Sequence, residues 1–473
     1  MTQVLHLGSD GRIPSGGTCH HGEVELIESP GGDDLLGALP SKAGTVTSAA
    51  RDSVEQGTIS GSPSGSPRRA PRPRRKLTVA VTFPVWPPRG GGQSRIFHLY
   101  RHVARHHDVE IVSVANANDL PDDREIAPGL REIRVPKSPA HRQAELALAG
   151  DVPGVSITDI AMPRLVHLSP DYGAALAASL ADADLAVASH PYLFPLLRQL
   201  TERAIWYEAH NVETALKRGM LPDTPTARAL LAETEEVERA CCAGSDQVVV
   251  CADTDGSVFR QDFGVPAERV LEIPNGVDLG TVAYADPIAR RAAQERLGLH
   301  GTPTALFMGS GHKPNVDAVE AILGVAAGCP DIRFLIMGSV CGAFSGRRLP
   351  ANVGAVGEVD DDTRIAALGV VDCALNPMGA GSGTNLKMLD YFAAGVPVIS
   401  TRHGARGLAV ADGVHLRLSE VDGFPAALRG LQREIGGLAL SQQVAAARRL
   451  AEDRYDWAAI AERYRHAIET AGT

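Results

Sequence analysis

No stretch of this 473-residue chain approaches the ~20 consecutive apolar residues that a membrane-spanning helix needs. A basic excess is missing as well: 46 Lys+Arg stand against 56 Asp+Glu, a formal charge of −10. Bulk nucleic-acid binders need a basic face to displace counterions, so a nucleic-acid partner is not expected. The N-terminus, MTQVLHLGSDGRIPSGG, lacks the charged-then-apolar order of a signal peptide. The seven cysteines are odd in number and form no C-x-x-C. They read as free thiols of a reducing, cytoplasmic compartment, without a structural zinc. What remains, 44% hydrophobic and 22% charged residues, fits an ordinary globular protein of two or three domains.

Residues 1–76 differ from the rest. They contain GTISGSPSGSPRRAPRPRRK, whose Ser, Gly, Pro and Arg cannot bury enough apolar surface to offset ordering entropy. A disordered tail is expected there. Its basic end, Arg68, Arg69, Arg72, Arg74, Arg75 and Lys76, suits a solvated charge run, or weak peripheral contact with an anionic membrane. The isolated triplet Cys19, His20, His21 is discounted as a metal site.

From Leu77 onward, short β-branched runs alternate with helical patterns. Strands are expected at 77–83, 109–115, 184–190, 204–210, 247–252 and 269–274, and a second series at 304–310, 332–338, 370–375 and 395–400. Such alternation predicts parallel sheets covered on both faces, here two doubly wound α/β domains facing across a cleft. The expected boundaries are 77–274, 275–455 and a final helix in 456–473. That helix carries Trp457, Ile460, Tyr464 and Ile468 at helical spacing, a packing stripe.

The segment 374–400, ALNPMGAGSGTNLKMLDYFAAGVPVIS, carries the most chemistry. A strand leads into a loop with Gly379, Gly381 and Gly383, then a helix opens near Thr384 and a second strand closes the unit. Glycines allow close backbone approach, and the opening turn of a helix presents unpaired N–H groups with the positive end of the macrodipole. This suits a diphosphate. Lys387 adds a charge one turn in, and Asp390, on the same face, can accept hydrogen bonds from two vicinal hydroxyls such as a ribose diol. His190 and His210 each close a strand at the carboxyl end, where a doubly wound cleft opens, and Asn211 and Glu213 follow. His98, His102 and His106 recur every four residues but are expected to face water. GGGQSR departs from the dinucleotide fingerprint G-x-G-x-x-G.

The segment 374–400 resembles the nucleotide-sugar-binding region of glycosyltransferase family 4, which has the GT-B fold. Further matches are PPRGGGQSRIFHLYRHVA (87–104), EAHNVE (208–213), IPNGVD (273–278), FMGSGHKPNVDAV (307–319), GEV (357–359) and STRHGARGL (400–408). The resemblance implies a C-terminal domain that binds a nucleotide-diphosphate sugar and an N-terminal domain that binds a carbohydrate, lipid-linked or small-molecule acceptor. It implies retaining transfer to a hydroxyl, in polysaccharide or glycolipid synthesis, with no cofactor and no metal required.

Onto this chain it carries His190 and Lys387 as catalytic residues. Donor contacts are implied for Gly91, Gly92, Lys313, Gly357, Val359, Gly381, Ser382, Gly383, Thr384, Asn385 and Asp390. His210, Asn211 and Glu213 fall on the acceptor side. Many members carry two glutamates seven residues apart. Here the first position is Ser382 and the second is the shorter Asp390, so this chain resembles a subgroup with GSGT-like loops. Two alternatives stand beside this reading: a catalytically silent GT-B binding protein, and a nucleotide-sugar epimerase.

Overall fold

The computed structural model describes residues 74–299, 301–381 and 383–471. Ser382, the triplet at 19–21 and the tail through residue 73 lie outside the described residues. The basic run ends inside the fold. Arg74 pairs with Asp108 at 3.0 Å, Arg75 donates to the Ile468 and Ala471 carbonyls, and Lys76 pairs with Glu110 at 3.1 Å. These three residues depart from the expected solvated tail because each finds a fixed acceptor.

The first sheet has eight strands in the order β3-β4-β2-β1-β5-β6-β7-β8. They are β1 (Lys76–Val81), β2 (Asp108–Ala115), β3 (Asp122–Ala127), β4 (Leu130–Pro136), β5 (Leu185–Ser189), β6 (Ile205–Ala209), β7 (Gln247–Val250) and β8 (Val270–Glu272). Every pairing is parallel except β3 with β4. The second sheet is all parallel, in the order β11-β10-β9-β12-β13-β14. Its strands are β9 (Thr304–Met308), β10 (Arg333–Met337), β11 (Val353–Ala355), β12 (Cys373–Asn376), β13 (Val398–Ser400) and β14 (Arg417–Leu418).

Helices cover both faces of each sheet, so the central strands are mostly apolar, with Glu208 of β6 and Asn376 of β12 among the buried polar exceptions. β5, β6 and β9 are buried at every position. The segment 137–175 forms the helices Pro139–Gly150, Met162–Leu165 and Pro170–Leu180 against the first sheet. The six described cysteines are buried free thiols. Among the described residues no helix is long and apolar enough to cross a membrane.

Two crossings join the sheets, and they run side by side. Val277 N–H donates to the Tyr455 carbonyl at 2.7 Å, and Trp457 N–H donates to the Val277 carbonyl at 3.2 Å. The final helix, Trp457–Thr470, then returns to the first sheet. Its Trp457, Ile460, Tyr464 and Ile468 join the core that contains the helix Gly91–Val103.

Strand order reverses between β1 and β5 in one sheet and between β9 and β12 in the other. Ligands of open α/β sheets bind beyond the carboxyl ends of strands at such points. The loops that leave β5, β9 and β12 begin there.

Candidate active site

The loop 377–385 leaves β12 and turns through Gly381 at φ +108 and Gly383 at φ +62. A Cβ on Gly383 would sit 2.9 Å from Asn211 Oδ1, so the bare backbone lets the two domains meet. Asn385 precedes the helix Leu386–Ala393, and its side chain does not cap it. Its amide donates instead to the Gly404 carbonyl at 2.7 Å, which Asn376 also reaches at 2.9 Å. The helix therefore opens without a side-chain acceptor for its first amides, at the positive end of the dipole. Thr384 Oγ1 is buried and takes no hydrogen bond among the described residues.

Lys387 lies half-buried in this opening. Its Nζ donates to Asn315 Oδ1 at 2.7 Å and stands 4.1 Å from the Phe307 ring centroid, a cation–π contact. Among the described residues no carboxylate pairs with it. Burial, reinforced by the neighbouring Arg406, pushes its pKa down to about 7. Arg406 donates to the His403 carbonyl at 2.9 Å, and its Nη2 lies 3.2 Å from where a Gly381 Cβ would be. Two cations thus share one Gly-rich loop. Lys313, by contrast, is exposed and pairs with Asp317 on its own helix, so the structure separates it from Lys387.

Asp390 faces Arg364 at 3.0 Å, and burial raises its pKa against that guanidinium's pull. The loop after β11 carries Gly357, whose carbonyl accepts from Gly338 N–H at 2.6 Å, and Val359, which packs on the core beneath the Leu386–Ala393 helix. Asp360 caps the helix Asp361–Val370 through a 2.9 Å bond from Thr363 N–H.

The first domain faces this loop. A Cβ on Gly91 would lie 3.3 Å from Leu386 Cδ1, and one on Gly92 would lie 3.7 Å from His210 Nδ1. The helix Gly91–Val103 therefore opens toward the helix Leu386–Ala393. His190 is the one non-glycine residue with positive φ among the described residues, at φ 70. Such a conformation costs roughly 1–3 kcal/mol and persists where surrounding structure enforces it. Phe83, Tyr192 and His210 enclose its ring, with the His210 centroid at 4.2 Å, and its Nδ1 is buried without a partner among the described residues. His210 Nε2 meets Ser189 Oγ at 3.1 Å. Burial, with His190 and Arg95 adding to it, holds His210 well below the usual imidazole pKa, so its ring is neutral near pH 7.

Glu213 accepts from Tyr192 Oη at 2.6 Å and from Asn211 Nδ2 at 3.2 Å. Its own N–H donates to Glu238 at 2.8 Å. Thr82 Oγ1 donates to Asp159 at 2.9 Å, which brings the segment 137–175 to the same end of the sheet.

Several residues were not legible in advance. Glu208 in EAHNVE is fully buried and pairs with Arg95 at 3.3 Å, so it braces the framework and does not line the cleft. His98 is half-buried and stacks on Trp457 at 6.1 Å, and His102 is half-buried too, because the final helix covers this face. Of the three, His106 is exposed. Arg364 and Asp159 carry no sequence motif of their own. Their roles arise from contacts made by separate elements.

Comparison with known proteins places the chain in a family. The model described as Glycosyltransferase Family 4 matches residues 89–281, and that described as Glycosyl transferases group 1 matches residues 302–433. The chain belongs to glycosyltransferase family 4. A phosphatidyl-myo-inositol mannosyltransferase of Mycobacterium tuberculosis is 29% identical over 210 residues, 42% of this chain and 54% of that protein. The match thus spans about half the length of that relative. A D-inositol 3-phosphate glycosyltransferase of Nocardiopsis dassonvillei is 27% identical over 382 residues, 72% of this chain and 82% of that one.

Among solved structures, sucrose-phosphate synthase from Thermosynechococcus elongatus superposes with a TM-score of 0.64 at 16% identity, covering 84% of this chain and all of that one. Anabaena HepE in complex with UDP-glucose gives 0.60 at 13% identity, covering 83% and 99%. These likenesses show the GT-B fold, and the cleft described above lies between the two domains of a family 4 glycosyltransferase.

Proposed function

We propose that this glycosyltransferase takes a sugar from a nucleoside-diphosphate donor and passes it, with retention, to an acceptor hydroxyl. One observation carries the reading: the Lys387 ammonium has no carboxylate partner among the described residues, and it stands beside Arg406 at the opening of an uncapped helix. A cation so placed is stabilised by an incoming anion. Breaking the anomeric C–O bond builds charge on the departing diphosphate, which is where preorganised N–H groups and cations act most strongly.

In this reading Gly381–Thr384, Lys387 and Arg406 hold the diphosphate. Asp390 accepts from the ribose hydroxyls, Gly357 and Val359 border the base, and His190 faces the donor sugar. His210, Asn211, Glu213 and Asp159 border the acceptor. The relatives' names make an inositol-type polyol bearing a phosphate group the acceptor class to test first. No metal is required, because the helix and the two cations supply the positive charge.

The test is calorimetry with uridine, guanosine and adenosine diphosphates, followed by transfer of a radiolabelled sugar from the matching donor. Lys387→Ala is expected to lower transfer at least ~100-fold, in the range for losing one such donor. Turnover near that of the parent chain would refute the reading.

A further inference from the structure

We infer that Arg364 is a positioning residue for the donor: it holds one oxygen of Asp390 and keeps the carboxylate charged, so that the other oxygen meets the ribose hydroxyls. The inference rests on the donor-site reading above.

Asp390 stands on the helix Leu386–Ala393, three residues beyond Lys387. Arg364, from the helix Asp361–Val370, approaches Oδ2 at 3.0 Å, and each side chain is a quarter exposed. Oδ1 takes no hydrogen bond from the described residues, and the exposure leaves it open to a ligand. Arg364 is itself oriented, since its Nε donates to Asp361 at 3.1 Å.

The other charged groups around Asp390 do not replace this guanidinium. Asp361, on Arg364's own helix, and Asp278, from the crossing between domains, both oppose ionisation of Asp390. Asp278 is neutralised by Arg101 of the facing helix at 2.6 Å. His98, on that same helix, is pushed down to about 4 by burial and by Arg101, so it brings no charge near neutral pH. Arg364 is therefore the cation among the described residues that favours the charged carboxylate, against the burial that disfavours it. A protonated Asp390 gives up an acceptor site to its own O–H and loses the charge that strengthens its bonds to a vicinal diol.

The experiment uses the full chain, Arg364→Gln and Arg364→Lys. Affinities are measured from pH 5 to 8 for the nucleoside diphosphate that binds best and for its 2′,3′-dideoxy counterpart, with inorganic pyrophosphate as the probe of the Lys387 end. The parent is expected to prefer the ribose form about tenfold, ~1.4 kcal/mol at that ratio. In Arg364→Gln the preference should fall below threefold at pH 6 and recover in part by pH 8, because the higher Asp390 pKa leaves less carboxylate at low pH. Arg364→Lys should retain most of it, and pyrophosphate should bind all three chains within twofold. An Arg364→Gln chain with the parent's preference at every pH overturns the inference alone. A parent that binds both nucleotides equally overturns the Asp390 contact and this role with it, leaving the diphosphate site standing. A parent that binds none of the nucleotides overturns the donor-site reading itself.

Discussion

Binding of a nucleoside diphosphate to this chain should take up a proton. Lys387 has its pKa pushed from 10.5 down to about 7 by burial and by Arg406. At pH 8 the free side chain is then mostly neutral, about one part in ten charged. A diphosphate beside it favours the ammonium and returns the pKa toward its ordinary value. Complex formation at pH 8 should therefore absorb about 0.9 proton, and at pH 7 about 0.5. The nucleotide's own second ionisation, near ~6, is complete at pH 8 and contributes little there.

Association should weaken about tenfold, ~1.4 kcal/mol, for each pH unit above 7. The whole span from about 7 to 10.5 corresponds to no more than ~5 kcal/mol. The assay is calorimetry in two buffers of different ionisation enthalpy, where the slope of observed heat against that enthalpy counts protons. Lys387→Met should reduce the slope at pH 8 to near zero. Binding in the parent with no slope at pH 8 would refute the reasoning, since it would mean that the lysine is already charged in the free protein. An unchanged slope in Lys387→Met would place the proton elsewhere.

The same lysine sets a stability effect of definite sign. Its folded-state pKa is depressed, so its charge opposes folding below pH ~7, and that opposition fades as pH rises toward 10.5. Without ligand, Lys387→Met should melt higher than the parent at pH 6, and the gap should narrow to less than half by pH 9, closing only near pH 10.5, as seen by calorimetric scanning; equal melting at pH 6 and pH 9 would exclude the effect. Gly383→Ala adds a Cβ 2.9 Å from Asn211 Oδ1 at φ +62, a strain of roughly 1–2 kcal/mol, and should weaken nucleotide binding at least fivefold by equilibrium titration. Glu208→Ala leaves the Arg95 guanidinium buried without its carboxylate, a loss of about 3–5 kcal/mol. The transition of the first domain should then fall by roughly 10 °C. A change under 2 °C would show that Asn275, which Arg95 also reaches at 3.1 Å, suffices as its partner.

What could be read in advance follows from how locally each feature is encoded. β1, β5, β9 and β12 are central parallel strands buried on both faces, so each is a continuous apolar run that stands out from its surroundings. β3 and β4 did not stand out, because they form an antiparallel hairpin at the sheet edge and read DDREIA and LREIRVP. The charges there pair across strands, as Arg131 does with Asp123, and these contacts cannot be seen one strand at a time. β11 and β14, three and two residues long, are too short to carry any pattern.

The cleft divides in the same way. Its Gly-rich loop, Lys387 and Asp390 follow one another along a single strand, loop and helix, so they can be considered together before any fold is known. The groups that set their electrostatics come from elsewhere: Asn315 from the helix after β9, Arg406 from the loop after β13, Arg364 from the helix after β11. The imidazoles at 98 and 102 show the cost of reading one helix alone. Their four-residue spacing fixes which way they point along it, but both are half-buried, and the ring that His98 meets is Trp457, brought back from the far end of the chain. A sequence therefore announces which groups a site of this kind contains sooner than it announces their charge states. Those depend on burial and on partners from other elements, and it is the charge states that the proton-uptake and ribose-preference measurements read.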